Sequence, residues 1–294
     1  MKIGYIIVAH TLPEQIVRLV RRLDSPHARF FIHVDRRAPE AVMAMVDREL
    51  GGVGSVRLLP RHRVHWAAFS PVLAALEGVR ALLEWPERLD YGVLLTGQDY
   101  PLQPPSVIEH MLEEAEGRSF ISHRPATGRF LRRMTRYHWH GSVLGRRVRL
   151  PNRLMPLTLR RSLPAGLEPH TGSAHWCLSR DCLEYVVARD PEIIRFFRRS
   201  AVPDEAFFQT ILMSSPLAPT IVNDDLRYID WSEDRPSPRV LTVLDLEDMD
   251  ASQALFARKF DSRLDSEVLD ALDEKIDARA RLYAGEGQSQ EASP

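Results

Sequence analysis

The 294-residue sequence has few cysteines, no long apolar run and almost no net charge. Cys177 and Cys182 lie five residues apart, with no further histidine or cysteine at a zinc-like spacing, which disfavours a disulfide framework and a structural zinc and fits a reducing compartment. No stretch approaches the roughly 18 apolar residues of a membrane span, and His10 interrupts the apolar N-terminus before it reaches signal-peptide length. The formal net charge of -1 argues against wholesale nucleic-acid binding.

Two nucleotide-binding loops are also missing. No Gly-x-Gly-x-x-Gly and no Walker-type loop follows any apolar segment, which removes the main support for a dinucleotide dehydrogenase or a P-loop enzyme. Apolar strand patterns nevertheless alternate with amphipathic helix patterns, which predicts an α/β fold with a mostly parallel central sheet flanked by helices. The predicted strands are IGYIIVA, FFIHV, VRLL and YGVLLT, and the helices between them are 13–23, 38–50 and 70–84.

Acidic residues are absent from Arg118 to Leu167, where about a dozen arginines occur. Such a segment is either a solvated basic surface or a binding surface for an anionic acceptor, a membrane or nucleic acid. Beyond it, the sequence predicts a strand at AHWCL, a helix over 179–188, a second helix beginning near Pro203 and a C-terminal helix over about 262–283. The tail 285–294 has the composition of a disordered segment.

A lone carboxylate ends one of the predicted strands. In VLLTGQDYPLQPP, Asp99 is flanked by Gln98 and Tyr100, so the Asp-x-Asp arrangement that commonly holds a divalent metal is missing. Because ligands bind at the carboxyl ends of parallel strands, Asp99 is a candidate for contact with a nucleotide. If phosphates bind there, other groups must neutralise them.

Two further stretches can carry chemistry. In VPDEAFFQTILM, Asp204 and Glu205 fall in a predicted first helical turn, where carboxylates are stabilised structurally and where one can also serve as a general base. In ALFARKFD, Arg258 and Lys259 are flanked by phenylalanines, which suits either a surface pair or an anchored clamp for a diphosphate. Arg239 follows a proline-rich turn and can add a bidentate contact.

Several stretches, in their order along the chain, resemble the core-2/I-branching family of glycosyltransferases, which also includes peptide O-xylosyltransferases. The resemblance extends from about Ile3 to Asp261 and is carried by YIIVAH, FFIHVDRRAP, HWAAFSPVLAAL, LLTGQDYPL, TGSAHWCLSRDCLEYV, VPDEAFFQTIL and LFARKFD. It implies a GT-A-like fold and inverting transfer of GlcNAc, xylose or a related sugar from a UDP donor to a hydroxyl of a glycan or other acceptor. It also implies that no metal or other cofactor is required.

The resemblance further implies roles for individual residues. Glu205 is the expected general base. The expected donor contacts are His10, Asp35, Gln98, Asp99, Arg239, Arg258 and Lys259, with Asp35 at the uridine and the basic residues at the diphosphate. The expected acceptor contacts are Ser173, His175 and Trp176. The sequence departs from the family here, because His175 stands where family members carry a tryptophan.

We therefore expect one catalytic domain over 1–284. It comprises a donor-binding half over about 1–117, a basic acceptor-side segment over about 118–170, and a catalytic and diphosphate-binding part over about 171–261. The absence of an anchor and of disulfide-forming cysteines implies a cytoplasmic enzyme of bacterial type. The basic segment suits an anionic or lipid-linked acceptor or a peripheral membrane contact, and no nucleic-acid partner is expected. The alternative is a non-catalytic protein that binds an anionic polymer on a degenerate glycosyltransferase scaffold.

Overall fold

The computed structural model describes residues 1–138, 160–189, 191–233, 235 and 237–291, with side chains described as far as residue 285. The strands are β1 Ile3–Ala9, β2 Ala28–Val34, β3 Val56–Leu58, β4 Tyr91–Thr96, β5 Asp99–Pro101, β6 Ser119–Ile121, β7 Arg124–Pro125, β8 His170–Thr171, β9 Trp176–Ser179, β10 Ile221–Val222, β11 Arg227–Ile229 and β12 Phe256–Arg258. The helices are α1 Pro13–Leu23, α2 Glu40–Leu50, α3 Ser70–Leu83, α4 Pro105–Glu114, α5 Gly128–Thr135, α6 Arg180–Val187, α7 Pro191–Phe197, α8 Phe207–Met213, α9 Leu246–Ala251 and α10 Glu267–Glu291.

Within these residues, the main sheet has seven strands in the order β10-β6-β9-β4-β1-β2-β3. Strands β3, β2, β1 and β4 are mutually parallel, and β9 runs antiparallel between β4 and β6. A second sheet, β11-β12-β5, and a β7-β8 pair complete the described pairing. The predicted α/β class with a mostly parallel sheet is confirmed.

Each face of the main sheet packs against its own set of helices, because successive side chains of a strand point to opposite faces. In β2, Phe30, Ile32 and Val34 join the core formed with α1, α2 and α10, whereas Phe31 joins the core formed with α3, α6 and α8. Helix α3 approaches the sheet closely at Gly78, where a Cβ atom would lie 2.3 Å from Cγ2 of Ile6. A larger residue there would push the helix away from the sheet.

The second half of the chain departs from its predicted boundaries. The predicted helix at Pro203 is a 3-10 turn, Pro203–Glu205, and is separated from α8 by Ala206 in a non-helical conformation. The C-terminal helix begins at Glu267 rather than near 262, because the side chain of Asp265 accepts a hydrogen bond from the backbone N–H of Val268 at 3.1 Å. It continues to Glu291, into the predicted disordered tail, and no proline interrupts it before Pro294.

Candidate active site

The carboxyl ends of adjacent strands bring three of the predicted donor residues to one edge of the sheet. His10 directly follows β1, Asp35 directly follows β2, and Gln98 lies just beyond β4. These strands are neighbours and parallel, so their ends meet at the same edge. His10 is exposed, whereas the amide of Gln98 donates a hydrogen bond to the carbonyl oxygen of Phe260 at 3.1 Å.

Asp35 is buried and held in a fixed orientation. Its carboxylate accepts hydrogen bonds from the backbone N–H of Arg37 at 2.8 Å and of Val64 at 3.2 Å, and it pairs with the Arg37 guanidinium at 3.0 Å. Burial by itself raises the pKa of Asp35, but the hydrogen bonds from Arg37 and Val64 outweigh burial and lower it. The carboxylate is therefore ionised and positioned at neutral pH.

Asp99 is fully buried and lies opposite Arg258 in the β5-β12 register. It accepts hydrogen bonds from the backbone N–H and the hydroxyl of Thr96, at 2.8 and 2.9 Å. Nε of Arg258 lies 3.1 Å from Oδ1 of Asp99. This carboxylate therefore already has a cationic partner, supplied by the chain itself.

A second guanidinium, that of Arg227, lies buried near the same carboxylate. It donates to the carbonyl oxygens of Leu94, at 2.9 Å, and of Asp225. Burial lowers the pKa of Arg227, and the negative charge of Asp99 opposes that shift. With Asp99 at −1 and Arg227 and Arg258 at +1 each, these three side chains leave a local excess of one positive charge, which suits an anionic ligand.

His175 lies between these charged groups. Burial lowers the pKa of His175 well below its usual value, and the charges of Arg258 and Arg227 lower it further, so the ring is neutral. A guanidinium can only donate, so Nε2 of His175 accepts from Arg258 and its proton is on Nδ1. Nδ1 lies 3.8 Å from Oδ2 of Asp99, too far for a hydrogen bond. His175 thus orients Arg258.

The other two predicted diphosphate contacts have different surroundings. The ammonium of Lys259 donates to the hydroxyl of Ser237 at 2.6 Å. Arg239 is engaged by two carboxylates, with its Nε 2.6 Å from Asp230 and its terminal nitrogens on Asp245. The hydrogen bonds that Arg239 donates to these carboxylates, first to Asp245 and then to Asp230, raise its pKa. The charge of Arg239 is therefore already compensated, whereas the observed partner of Lys259 is neutral.

The predicted base, Glu205, ends the 3-10 turn that follows Val202 in a left-handed conformation with φ 48°. Its carboxylate accepts a hydrogen bond from Arg133 on α5 at 2.7 Å, and its side chain is 37% exposed. Its carbonyl oxygen accepts from the backbone N–H of Gly172 and the hydroxyl of Thr171, both at 2.9 Å. Arg133 thus fixes the direction of an accessible carboxylate, while Thr171 and Gly172 hold the main chain of Glu205.

The neighbouring carboxyl of Asp204 has a different environment. Desolvation raises the pKa of Asp204 to about 6, and the negative charge of Glu205 contributes to the same shift. Oδ1 of Asp204 has no hydrogen-bond partner among the described residues. Two adjacent carboxyl groups thus differ, one hydrogen-bonded by an arginine and one desolvated.

The segment from Thr171 to His175 connects the Glu205 turn to the Asp99 site. Gly172 is required in it, because a Cβ atom there would lie 1.7 Å from the carbonyl oxygen of Ser122. The carbonyl oxygen of Ser173 accepts from the amide of Gln209, and its hydroxyl accepts from the backbone N–H of His175 at 3.2 Å. A predicted acceptor surface and a predicted base therefore belong to one hydrogen-bonded unit.

Trp176, predicted as an acceptor contact, is instead a core residue. Its side chain is 0% exposed and packs on Phe208, with ring centroids 5.1 Å apart. As the first residue of β9 it pairs with Ile121. The indole therefore lies inside the core on the α8 side of the sheet and cannot present its face to a sugar.

The described part of the acid-free segment divides its arginines between two roles. Arg161 is structural: it donates to the carbonyl oxygens of Met134 and Phe196 and to the hydroxyl of Ser200, and burial lowers its pKa to about 10. Arg129 and Arg132 on α5 are exposed. Residues 139–159 of this segment lie outside the described residues. The exposed arginines are consistent with either interpretation of the basic segment, whereas the half-buried Arg161 fits neither.

Two contributors were missed by the sequence analysis, Arg133 and Arg227. Arg133 was counted only as part of a basic segment, because its contact with Glu205 joins positions 72 residues apart. Arg227 belongs to no motif of the sequence, and nothing near it along the chain indicates the charge that it meets. A buried arginine within an apolar strand is a signal for a buried anion.

Residues 3–253 match the Core-2/I-Branching enzyme family. The chain belongs to this family. Among curated proteins, it is similar to xylosyltransferase 2 of Homo sapiens, with 28% identity over 298 residues that cover 93% of this chain and 33% of the relative. Xylosyltransferase 1 of Canis lupus familiaris is 25% identical over 299 residues, which cover 93% of this chain and 30% of the relative. The chain spans about one third of the length of these relatives.

Among solved structures, 4-diphosphocytidyl-2C-methyl-D-erythritol synthase from Anaerococcus prevotii aligns with a TM-score of 0.32 and 10% identity. The alignment covers 67% of this chain and 83% of that one, and a score this low is no argument for a shared function. The family match confirms the predicted resemblance, and together with the mostly parallel sheet it confirms the GT-A-like fold class and membership of a glycosyltransferase family. In the part of the chain that is described, no helix combines the length and apolar character needed to cross a bilayer.

Proposed function

We propose that this protein is an inverting, metal-independent glycosyltransferase that moves GlcNAc, xylose or a related sugar from its UDP conjugate to a hydroxyl of a glycan or other acceptor. The observation that carries the proposal is the buried Asp99, which pairs with Arg258 at the ligand-binding edge of the sheet and has the buried charge of Arg227 nearby. A carboxylate that already pairs with a guanidinium group has little remaining charge with which to hold a divalent cation. The excess positive charge of this cluster is available to a phosphate instead.

Donor binding uses the edge formed by the strand ends. The fixed, ionised carboxylate of Asp35 accepts hydrogen bonds from the uridine, and His10 and Gln98 border the same edge. Arg258 and Lys259, and less directly Arg239, hold the diphosphate. As the glycosidic bond breaks, UDP gains negative charge, and fixed guanidinium and ammonium groups stabilise that charge in the role that a metal has in other enzymes.

Glu205 acts as the general base. It takes the proton of the acceptor hydroxyl while that oxygen attacks the anomeric carbon from the face opposite UDP, and UDP departs with the bonding electron pair. Attack opposite the leaving group inverts the anomeric configuration. Arg133 holds the carboxylate for this task, Thr171 and Gly172 hold the main chain of Glu205, and the 37% exposure of the side chain leaves room for an acceptor.

The acceptor is expected near Ser173 and His175, since these residues connect the base to the donor site. Trp176 supports this surface from the core without touching the acceptor. The exposed arginines of α5 favour an acceptor that bears carboxylate, phosphate or a lipid-linked pyrophosphate. The same charges would also favour a peripheral contact with an anionic membrane, and we further propose that transfer occurs in the cytoplasm.

A donor screen tests the proposal. The purified chain is incubated with individual UDP-sugars in EDTA without acceptor, and UDP release is measured, because a transferase slowly hydrolyses its own donor. UDP-GlcNAc and UDP-xylose are tested first. One UDP-sugar is expected to release UDP at the same rate with and without the chelator. Release from no UDP-sugar, together with binding of polyanions, would instead favour the non-catalytic alternative.

A further inference from the structure

A second polar cluster lies on the opposite face of the sheet from α1 and α2, between β2 and α3. His33 is in β2, Glu77 is in α3, and His62 is in the loop that joins β3 to α3. Strand alternation explains the position of His33, because its side chain shares a face with Phe31, which packs in the core formed with α3. The fold thus brings together three residues that are distant in the sequence.

Their potential ligand atoms converge on one point. Nε2 of His33 lies 3.1 Å from Nδ1 of His62, and Nδ1 of His62 lies 3.1 Å from Oε2 of Glu77, with all three atoms within 4.8 Å of one another. In a tetrahedral site with metal–ligand bonds of about 2.0–2.1 Å, neighbouring ligand atoms are about 3.3 Å apart. Both of the 3.1 Å separations are close to that spacing.

The hydrogen bonds around the cluster place the ring protons on the nitrogens that point away from it. Nε2 of His62 lies 3.1 Å from the carbonyl oxygen of Ser70, which can only accept, so the proton of neutral His62 is on Nε2 and its Nδ1 is bare. Nε2 of His33 accepts from the backbone N–H of His62 at 3.2 Å, so the proton of His33 is on Nδ1. A proton-free ring nitrogen of each histidine and a carboxylate oxygen therefore lie close together, and a cation bound among them would offset their crowded lone pairs.

A proton on Nδ1 of His62 would point between two acceptors and serve only one of them well. A metal ion would bind all three atoms at once and would replace the weaker backbone contact to Nε2 of His33.

We propose that a divalent transition-metal ion binds to His33, His62 and Glu77 and fastens the 59–69 loop to the sheet. The chemistry of these ligands indicates zinc. Two imidazoles and one carboxylate are a donor set that zinc takes in proteins, whereas Mg²⁺ and Ca²⁺ prefer oxygen ligands. The low cysteine content, which disfavours a cysteine-ligated zinc, does not bear on this donor set. His62 and Glu77 are 22% and 29% exposed, which leaves a route to solvent for the ion.

The site has a structural role because the 59–69 loop also forms one wall of the donor edge. The backbone N–H of Val64 in this loop donates to Asp35 at 3.2 Å, and the backbone N–H of Arg36 donates to the carbonyl oxygen of His62 at 3.0 Å. An ion bound to His62 would hold this loop at its middle. At Asp99 the cation is Arg258 of the chain itself.

Zinc binding is measured directly on tag-free protein without donor or acceptor, so the result is independent of the proposed transfer. After chelation and dialysis, zinc titration is expected to give one equivalent per chain and a higher melting temperature, and Co²⁺ is expected to give visible absorption of a four-coordinate site. Glu77→Gln and His62→Gln should each weaken zinc by at least about tenfold, since even partners outside the first ligand sphere contribute 10- to 100-fold. His62→Gln keeps a donor for Ser70, which limits the effect on folding.

Matched controls are Glu84→Gln, at the exposed end of α3, and His110→Gln, on the exposed face of α4. Both should bind zinc as the wild type does. Equal zinc affinity in the wild type, Glu77→Gln and His62→Gln would overturn the site, as would a wild type that binds no zinc and gives no cobalt spectrum. Loss in the two site variants with retention in both controls would establish it.

Discussion

Replacing Glu205 with glutamine separates the two roles that its position allows. Glutamine keeps the shape of the side chain and can still face Arg133, but it cannot take a proton from an acceptor hydroxyl. If Glu205 is the general base, transfer should fall by about 100- to 10,000-fold. If Glu205 only stabilises the turn, transfer should remain near the wild-type rate.

The structure limits the accompanying loss of stability. The Glu205–Arg133 pair is 2.7 Å long, but the two side chains are 37% and 34% exposed. Ion pairs with such exposure contribute about 0.2–1 kcal/mol. For a chain of this size that corresponds to a fall in melting temperature of at most about 3 °C. A large loss of transfer with a small thermal shift is therefore the expected combination.

The assay compares single-turnover transfer, UDP affinity and thermal unfolding in the wild type, Glu205→Gln and Asp204→Asn. UDP affinity should be unchanged in both variants, because neither carboxyl belongs to the proposed donor site. Transfer by Glu205→Gln at a rate near that of the wild type, with intact UDP binding, would refute the assignment. Loss of transfer in Asp204→Asn alone would assign the base to the neighbouring carboxyl.

The remaining predictions concern pH, the donor clamp and the basic surface. The folded-state pKa of Asp204 is raised to about 6, so its protonation stabilises the wild type fully below the unfolded pKa near 3.8, and this stabilisation is lost as pH rises through about 6. The unfolding free energy of Asp204→Asn relative to the wild type should therefore rise by up to about 3 kcal/mol across that window. A pH-independent difference would contradict the desolvation argument. Lys259→Ala should weaken the affinity for UDP by about ten- to a hundredfold and the affinity for uridine much less. Its effect on stability should be small, because the observed partner of Lys259 is a hydroxyl. Equal losses of affinity for both ligands in calorimetric titrations would point to another residue. Arg258→Ala should lower the free energy of unfolding by up to about 3–5 kcal/mol, because it leaves Asp99 without its partner. Adding Asp99→Asn should recover stability in urea titrations without recovering UDP affinity. Arg129 and Arg132 are exposed, and replacing both with glutamine leaves in place Arg133, which holds the base. The double variant should lose transfer to an anionic acceptor much more at 0.1 M salt than at 1 M, because the Debye length falls from about 10 Å to about 3 Å. A parallel fall in acceptor-independent UDP release would argue against a role in acceptor binding.

The first third of the fold could be predicted from the sequence because its signals are local. Strand β1, helix α1 and strand β4 have the predicted bounds, since alternating or helical apolar periodicity identifies an element without knowledge of its neighbours. The turn at Pro203–Glu205 could not be predicted in the same way. Its left-handed Val202 is a non-glycine residue in a conformation that the surrounding contacts hold, and propensity favours a continuous helix there.

The site shows the same division. The types and order of its residues, from Asp35 and Asp99 to Glu205 and the basic pair at Arg258, were apparent as motifs in the sequence. Their chemical states depend on partners that only folding supplies. Burial and the charges of nearby arginines hold His175 neutral, and those arginines reach it from separate strands.

The sequence alone therefore determined the family, the α/β class and the candidate residues, since each is encoded in short contiguous patterns. The tertiary structure decided that Trp176 is a core residue, that Arg133 holds Glu205, and that Arg258 pairs with Asp99. It also brought His33, His62 and Glu77 together. These features depend on the distance between side chains far apart in the chain and on their removal from water, and no local pattern specifies either quantity.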